Sequence, residues 1–173
     1  MLAPVFVLAA TTVGAIGWCG NVLALPAACL FPALWSFAPT RMIAALVSMA
    51  YFLAASRGLP IGVSIFYATD MWVGLGFWLL ASVLFVAVHS AFWVPGHGWR
   101  KAIRYAAAAI LMSVPPFGIV GWASPITAAG VLFPGWGWIG LLAGFIGLMA
   151  MATRVWPIAC AVVAVAWAVS VPR

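Results

Sequence analysis

The residues that could carry out acid–base, nucleophilic or phosphoryl chemistry are few and scattered. Asp70 is the single acidic residue, glutamate is absent, and the two histidines, His89 and His97, have no acidic partner beside them. Paired carboxylates, a Ser–His–Asp arrangement and a Gly-rich phosphate loop with its lysine are missing, although these are the patterns that such chemistry requires. The sequence therefore predicts no catalytic residues and no cofactor.

The three cysteines, Cys19, Cys29 and Cys160, all lie within apolar stretches. A metal or redox site is normally indicated by a C-x-x-C pair or by cysteines grouped with histidines, and neither pattern occurs here. Because free cysteine packs as a small hydrophobic side chain, the sequence favours a packing role for all three over metal binding.

Composition indicates which kind of fold must position these residues. Of the 173 residues, 68% are hydrophobic and only 5% are charged, whereas a soluble domain carries roughly a quarter charged residues. Disorder requires low hydrophobicity and high charge, and outer-membrane barrels require strands of alternating polarity. We therefore predict an all-α integral membrane protein, with a single polytopic transmembrane domain over residues 1–173.

Polar, glycine and proline residues divide the chain into seven apolar segments, which the length allows if each span uses roughly 20 residues. The second segment contains Pro26 and Pro32, so we expect it to be kinked or partly re-entrant. Residues 61–69 are too short for a span and are expected to insert only partly, and residues 117–134 are expected to form a long interfacial loop. The predicted spans are residues 2–19, 22–37, 42–55, 71–94, 102–114, 136–152 and 156–171.

Glycine spacing within these segments gives a prediction about packing. Gly74 and Gly76, and Gly140 and Gly144, are separated by short intervals inside predicted helices. Small residues at such spacings allow helix backbones to approach closely. We therefore expect close helix contacts at these positions, although such spacings are frequent in any glycine-rich membrane chain.

The distribution of basic residues predicts the orientation. Lysine and arginine collect in cytoplasmic loops, which places the N-terminus inside and the C-terminus outside, in a bacterial inner membrane. Two roles are open for the most basic loop: it anchors the topology, or it holds anionic lipid headgroups. So few dispersed cations predict no direct contact with nucleic acid. The loops after segments two, four and six hold five of the seven basic residues, namely Arg41, Arg100, Lys101, Arg104 and Arg154.

Arg57 and Asp70 flank the predicted outer region between segments three and four. They could form an ion pair or hold a lipid headgroup, although Asp70 is better placed to cap the helix that follows it. With Trp122 and Trp136, which lie on the two aromatic outer loops, they are the candidate ligand-binding residues of an outward-facing cleft. His89, inside segment four, is expected to hydrogen-bond between helices rather than to relay protons.

Three stretches of the sequence support a family resemblance: residues 113–125 (SVPPFGIVGWASP), residues 127–135 and Arg154–Pro157. With the layout of segments two to seven, they resemble the membrane domain of the apolipoprotein N-acyltransferase family, and more closely the TraB-type conjugal transfer proteins. The resemblance implies a helix bundle followed by an outward-facing carbon–nitrogen (nitrilase-like) hydrolase domain, whose Glu, Lys and Cys are catalytic in the acyltransferases. Because the chain lacks glutamate and ends at Arg173, we expect this domain to be absent, and we carry over no catalytic residue.

The resemblance implies a function in plasmid conjugal transfer without acyl transfer by this chain alone. The helix bundle would bind membrane lipid or a lipid-modified protein, or would anchor a partner from the conjugation or secretion machinery. A small transporter or channel subunit is the alternative, because segment two looks like the broken helices of transporters, but no matching second copy is visible. A purely structural assembly subunit is a third hypothesis.

Overall fold

The computed structural model describes residues 3–96, 98–115, 117–118 and 123–170. Within these ranges the secondary structure is helical and contains no strand, which confirms the all-α prediction. Two 3-10 segments, Val22–Leu30 and Pro125–Ala128, precede α2 and α7 respectively. The α-helices are α1 (Ala3–Gly17), α2 (Phe31–Phe37), α3 (Arg41–Ala55), α4 (Leu59–Phe66), α5 (Met71–Phe92), α6 (Trp99–Leu111), α7 (Ala129–Leu132), α8 (Gly137–Met151) and α9 (Trp156–Ser170).

The second apolar segment is broken, as its prolines predict. Its first half, Val22–Leu30, is a 3-10 helix that contains Pro26, and Pro32 lies in the first turn of α2. Proline has no amide hydrogen to donate, so both positions interrupt an α-helical hydrogen-bond ladder. The side chain of Asn21 caps the segment by accepting a hydrogen bond from an amide of its first turn. The segment therefore consists of a 3-10 helix followed directly by the α-helix α2.

Two stretches that the sequence assigns to no spanning segment form helices. The short apolar piece after α3 is the helix α4, which follows at a bend of 46°. Within the expected loop 117–134, Pro125–Ala128 and α7 are helical, so the loop prediction is wrong over these residues. Residues 119–122 of that loop lie outside the described ranges.

Close helix contacts occur at Gly74 and Gly144, as the glycine spacing predicts, but not at Gly76, where a Cβ atom would meet nothing within 4 Å. A Cβ atom at Gly74 of α5 would collide with the carbonyl oxygen of Pro60 in α4. One at Gly144 of α8 would lie 2.7 Å from the Cβ atom of Ala129 in α7. Since real side chains do not approach this closely, only glycine permits these two helix pairs to pack as they do.

An aromatic cluster forms the core between α2, α3, α5 and α6, and His89 lies inside it. The His89 Nδ1 atom donates a hydrogen bond to the Phe85 carbonyl, one turn back on the same helix, at 2.8 Å. The bond between helices comes instead from Trp35, whose Nε1 atom donates to the His89 backbone carbonyl at 3.1 Å. Among the described residues, the hydrogen bond of the His89 side chain therefore lies within α5 rather than between helices, and other rings surround the imidazole. Those rings belong to Phe31, Trp35, Phe52 and Tyr105.

Helix length supports fewer spans than the sequence predicts. Among the described residues, α5 is the one helix that is long and apolar enough to cross a membrane alone. The bent pair α3 and α4 forms a second if it is counted as one span. Because α1, α8 and α9 have 15 residues each, the seven-span arrangement is not established by these lengths.

Candidate functional site

An apolar groove of about 570 Å³ lies between α9 and the segment that joins α7 to α8. One wall consists of α9 residues such as Val162 and Val165, and the other consists of Leu132, Phe133 and Trp136. The side chain of Ser170 is the one hydroxyl among the lining residues. A groove with these walls suits a hydrocarbon chain, because it offers extensive apolar contact and little hydrogen bonding.

Two glycines in the segment before α8 position the Trp136 ring at the groove. Gly135 and Gly137 have φ angles of +78° and +53°, a backbone region that glycine adopts without strain. Trp136 therefore sits on a tight turn, 58% exposed, with its ring 5.7 Å from that of Phe133. Of the four predicted ligand-binding residues, Trp136 is the one that the structure places on this groove.

Arg57 and Asp70 are both exposed, and no ion pair joins them in the described part of the chain. The Arg57 guanidinium instead donates to the carbonyl of Ala54, near the end of the preceding helix α3, at 2.9 Å. Asp70 occupies the N-cap position of α5, as predicted, but its side chain makes no capping hydrogen bond. Both residues lie beside α4, which packs against α5, so the structure does not join them to the groove at Trp136.

Trp122, the fourth predicted ligand-binding residue, lies outside the described residues. The full cleft of four residues is therefore not assembled by the described structure. What the structure shows is an apolar groove with one of the four on its rim.

The predicted basic loops meet at one end of the bundle, which we call the basic end (Arg41, Arg100, Lys101, Arg104 and Arg154). Arg41, at the start of α3, donates to the Trp93 carbonyl just beyond α5 at 3.3 Å. The hydroxyl of Ser36 in α2 donates to the carbonyl of Ala152 after α8 at 2.5 Å. Lys101 lies in the first turn of α6. Five helix termini therefore converge at this end, namely the starts of α3 and α6 and the ends of α2, α5 and α8.

Lys101 differs from the other basic residues because its side chain is only 2% exposed. Its Nζ atom donates to the Ser36 carbonyl in the last turn of α2 and lies 4.8 Å from the centre of the Trp93 ring. The last carbonyls of a helix have no partner within the helix, and a cation there is favourable. Burial lowers the pKa of the Lys101 amine to about 8. Lys101 thus caps α2, while Arg100 and Arg104 are exposed and available to an external ligand.

Comparison with known proteins places the chain in a family. The sequence model described as carbon-nitrogen hydrolase matches residues 53–171. The chain belongs to the carbon–nitrogen hydrolase family. This match corrects the expectation that the hydrolase family's sequence is absent, because it covers more than half of the chain.

Curated relatives of this carbon–nitrogen hydrolase family chain include two conjugal transfer proteins. It is 56% identical over 163 residues to conjugal transfer protein TraB of Agrobacterium fabrum (strain C58 / ATCC 33970), covering 88% of this chain and 39% of the relative. It is 58% identical over 150 residues to a probable conjugal transfer protein TraB of Sinorhizobium fredii (strain NBRC 101917 / NGR234), covering 87% and 38%. The chain therefore spans less than two fifths of the length of these two relatives.

A third relative is an uncharacterized protein outside the virF region of Agrobacterium tumefaciens (strain 15955). It is 57% identical over 77 residues, which are 44% of this chain and 51% of the relative. No solved structure matches the chain. The TraB resemblance inferred from the sequence is thus confirmed by the two longer matches.

The Glu, Lys and Cys that are catalytic in the related acyltransferases are not all present in this sequence. The matched range contains Lys101 and Cys160, but the printed sequence has no glutamate. Lys101 contacts Ser36, whereas the Cys160 thiol contacts Met151. A Glu–Lys–Cys arrangement cannot be assembled from the residues of this sequence.

Proposed function

We propose that this chain is the membrane-embedded helical part of a plasmid conjugal transfer protein in the bacterial inner membrane. The observation that carries the proposal is the apolar exterior of the helices. In α9 only Ala159 is buried, while Ile158, Val162 and Val169 are each more than half exposed. A soluble monomer rarely exposes contiguous apolar patches of more than a few hundred Å². In a bilayer, such side chains contact the hydrocarbon of the lipids instead of water. The conjugal transfer relatives support the biological role.

The basic end supports an orientation with the N-terminus in the cytoplasm. Arg41, Arg100 and Arg154 follow alternate segments and are all exposed, and the helix termini beside them converge. At the opposite end, the Trp167 indole near the end of α9 donates to the Leu23 carbonyl at 2.9 Å. Positive charge therefore collects on one side of the bundle, as the positive-inside rule requires of a cytoplasmic face.

The helix lengths fit this orientation if the bilayer adapts around the shorter helices. A helix rises about 1.5 Å per residue, so α5 is about 33 Å long, close to the ~30 Å hydrocarbon core. The 15-residue helices α1, α8 and α9 are about 22 Å long on the same basis. Local thinning and tilting accommodate such mismatch at modest cost. We propose seven crossings on these grounds, with α3 as the third crossing and α4 inserted only partly at the outer side.

The groove beside Trp136 is the proposed lipid-binding site of this acyltransferase-like membrane domain. It would hold an acyl chain of a membrane lipid or of a lipid-modified protein, and Arg57 and Asp70 would contact headgroups elsewhere on the same outer side. The chain itself would not transfer the acyl group. Binding would instead position the lipid-bearing molecule, or anchor a conjugation protein, at the outer leaflet.

The substitution Val162→Trp tests the groove, because Val162 lines it on α9. A tryptophan there displaces part of a bound chain, and losing contact with two CH₂ groups costs about 1.6 kcal/mol, or more than tenfold in occupancy. We expect V162W to reduce crosslinking by a photoactivatable acyl lipid in membranes by that factor, and to lower plasmid transfer frequency.

The matched control is Val83→Trp, which changes the same residue type on an exposed face of α5. V83W should label and transfer like the wild type, at equal protein level in the membrane fraction. If the two variants label equally, the groove is not the lipid site. If the chain is absent from carbonate-washed membranes, the membrane proposal itself fails.

A further inference from the structure

Helix α6 has one buried face and one exposed face. The residues of its buried face are Lys101, Ala102, Tyr105, Ala106 and Ala108. On the other side, Trp99 is 70% exposed, and Ile103 and Ile110 are each at least half exposed. Arg100 and Arg104 are exposed beside them. We call these last five residues the exposed α6 face, which combines two cations with a tryptophan and two aliphatic side chains.

The two arginines of this face carry charges that the described chain leaves unbalanced. They are four residues apart, so their Cβ atoms lie about 5–6 Å apart, and like charges at this spacing destabilise a helix. In the described part of the chain, neither guanidinium has a hydrogen bond or an ion pair. Asp70, the single acid of the sequence, precedes the 22-residue helix α5, whose other end lies at the basic end. An external anion would therefore relieve the repulsion between Arg100 and Arg104.

The character of the exposed α6 face changes along the helix. Trp99 and the arginines lie in its first two turns, and tryptophan favours the boundary between membrane and water. Ile103 and Ile110 are seven residues apart, so they follow nearly one line along the helix. Ile110 lies about 9 Å further from the basic end than Arg104, measured along the helix axis. A phospholipid has the same order, with its phosphate at the membrane surface and its hydrocarbon below.

We propose that the exposed α6 face binds an anionic phospholipid of the cytoplasmic leaflet. The lipid phosphate would lie between Arg100 and Arg104, because guanidinium groups donate several hydrogen bonds to phosphate oxygens. One acyl chain would follow Ile103 and Ile110. A zwitterionic headgroup fits less well, since both arginines repel its ammonium group.

The aliphatic part of the face favours a lipid over a nucleic acid. Both ligands carry phosphates, but only the lipid has a hydrocarbon chain that would cover Ile103 and Ile110. The inference rests on the membrane location and orientation proposed above, because these place the basic end among the headgroups of the cytoplasmic leaflet.

The test uses the full chain in a neutral detergent, titrated separately with phosphatidylglycerol and phosphatidylethanolamine, with bound lipid counted by native mass spectrometry. We expect the wild type to bind phosphatidylglycerol more tightly. A basic residue beside anionic lipid contributes about fivefold in affinity. Arg100→Gln and Arg104→Gln should therefore each weaken phosphatidylglycerol binding by about that factor and leave phosphatidylethanolamine binding unchanged.

Arg154→Gln is the matched control, because Arg154 is exposed at the same end and its substitution removes the same charge. R154Q should bind phosphatidylglycerol like the wild type. Glycerol phosphate, which has the charge of the headgroup without the chains, should not displace the lipid from the wild-type protein.

The proposal is overturned if the wild type shows no preference for phosphatidylglycerol, or if R154Q loses as much affinity as R100Q. It is also overturned if R100Q and R104Q lose binding of a DNA duplex but keep that of phosphatidylglycerol. Carbonate-washed membranes test the proposed function separately. A chain that remains in those membranes but lacks the lipid preference contradicts the α6 site alone.

Discussion

At the scale of single residues, Lys101 shows how a charge counted for topology can acquire a structural role. Its position in the most basic loop predicts exposure to headgroups, yet its amine caps the end of α2 at the Ser36 carbonyl. The Trp93 ring covers the amine, and burial lowers the pKa of Lys101 to about 8. Neighbouring Arg100 is exposed. Of these two adjacent cations, Lys101 therefore caps a helix, and Arg100 is available to headgroups.

This depressed pKa predicts a pH dependence of stability. An unfolded lysine has a pKa of about 10.4, so between about pH 8 and pH 10.4 the unfolded chain binds more protons than the folded chain. The contribution of Lys101 to the free energy of unfolding should therefore rise with pH across this window. Lys101→Met should remove this contribution, so the wild type should gain stability relative to K101M as the pH increases, measured by reversible unfolding in mixed micelles at a series of pH values.

Arg104→Met is the control for this measurement, because Arg104 lies on the same helix but is exposed. R104M should keep the pH dependence of the wild-type unfolding free energy. An unchanged slope in K101M would show that Lys101 does not titrate in this window, and would contradict the role assigned to its burial.

At the scale of the elements, the contact between α4 and α5 depends on one glycine. A Cβ atom at Gly74 would collide with Pro60 backbone atoms, which cannot move aside as a flexible side chain can. Two residues further along α5, a Cβ atom at Gly76 meets nothing within 4 Å. Gly74 is therefore crowded, whereas Gly76 on the same helix has open space around it.

Alanine substitutions at these two glycines should have opposite effects on the stability of the fold. Gly74→Ala should destabilise the fold by about 1–3 kcal/mol, the usual cost of overpacking. Gly76→Ala should be neutral or stabilising by up to about 1 kcal/mol, because alanine is the better helix former. Unfolding of both variants in micelles measures the difference, and equal stabilities would contradict the close packing of α4 on α5.

At the scale of the whole molecule, the chain direction alternates so that the basic segments meet. The start of α3 lies beside the end of α5, where Arg41 donates to Trp93. The last turn of α2 and the end of α8 join through Ser36 and Ala152. The position of the basic residues on alternate loops predicts that these segments lie at the same end. The contacts between helix termini support the same arrangement independently of charge.

Reporter fusions test the corresponding orientation in cells. A phosphatase that folds only outside the cytoplasm should be active when fused after Arg57 or Arg173 and inactive when fused after Gly96. A cytoplasmic fluorescent reporter at the same three positions should give the reverse pattern. Cytoplasmic activity after Arg173 would overturn the arrangement with the C-terminus outside.

Much of the helical layout could be predicted because apolar runs and their breaks are local features. The predicted segments 71–94 and 136–152 differ by at most two residues at each end from α5 and α8. The break in segment two follows from Pro26 and Pro32, and the glycine spacing predicted the close contacts at Gly74 and Gly144, although not the open position of Gly76. The helical stretch 125–132 could not be predicted, because its short turns pack on neighbouring elements and show no periodicity of their own.

Composition and the order of residues along the chain suffice to predict an apolar, all-α chain with its basic residues on alternate loops. The tertiary structure was needed to show which side chains meet. It separated Arg57 and Asp70 from Trp136, buried Lys101 against α2, and brought Cys160 to Met151. These outcomes depend on how helices cross and where their ends converge. Such geometry arises from contacts between residues far apart in the chain, which local patterns do not encode.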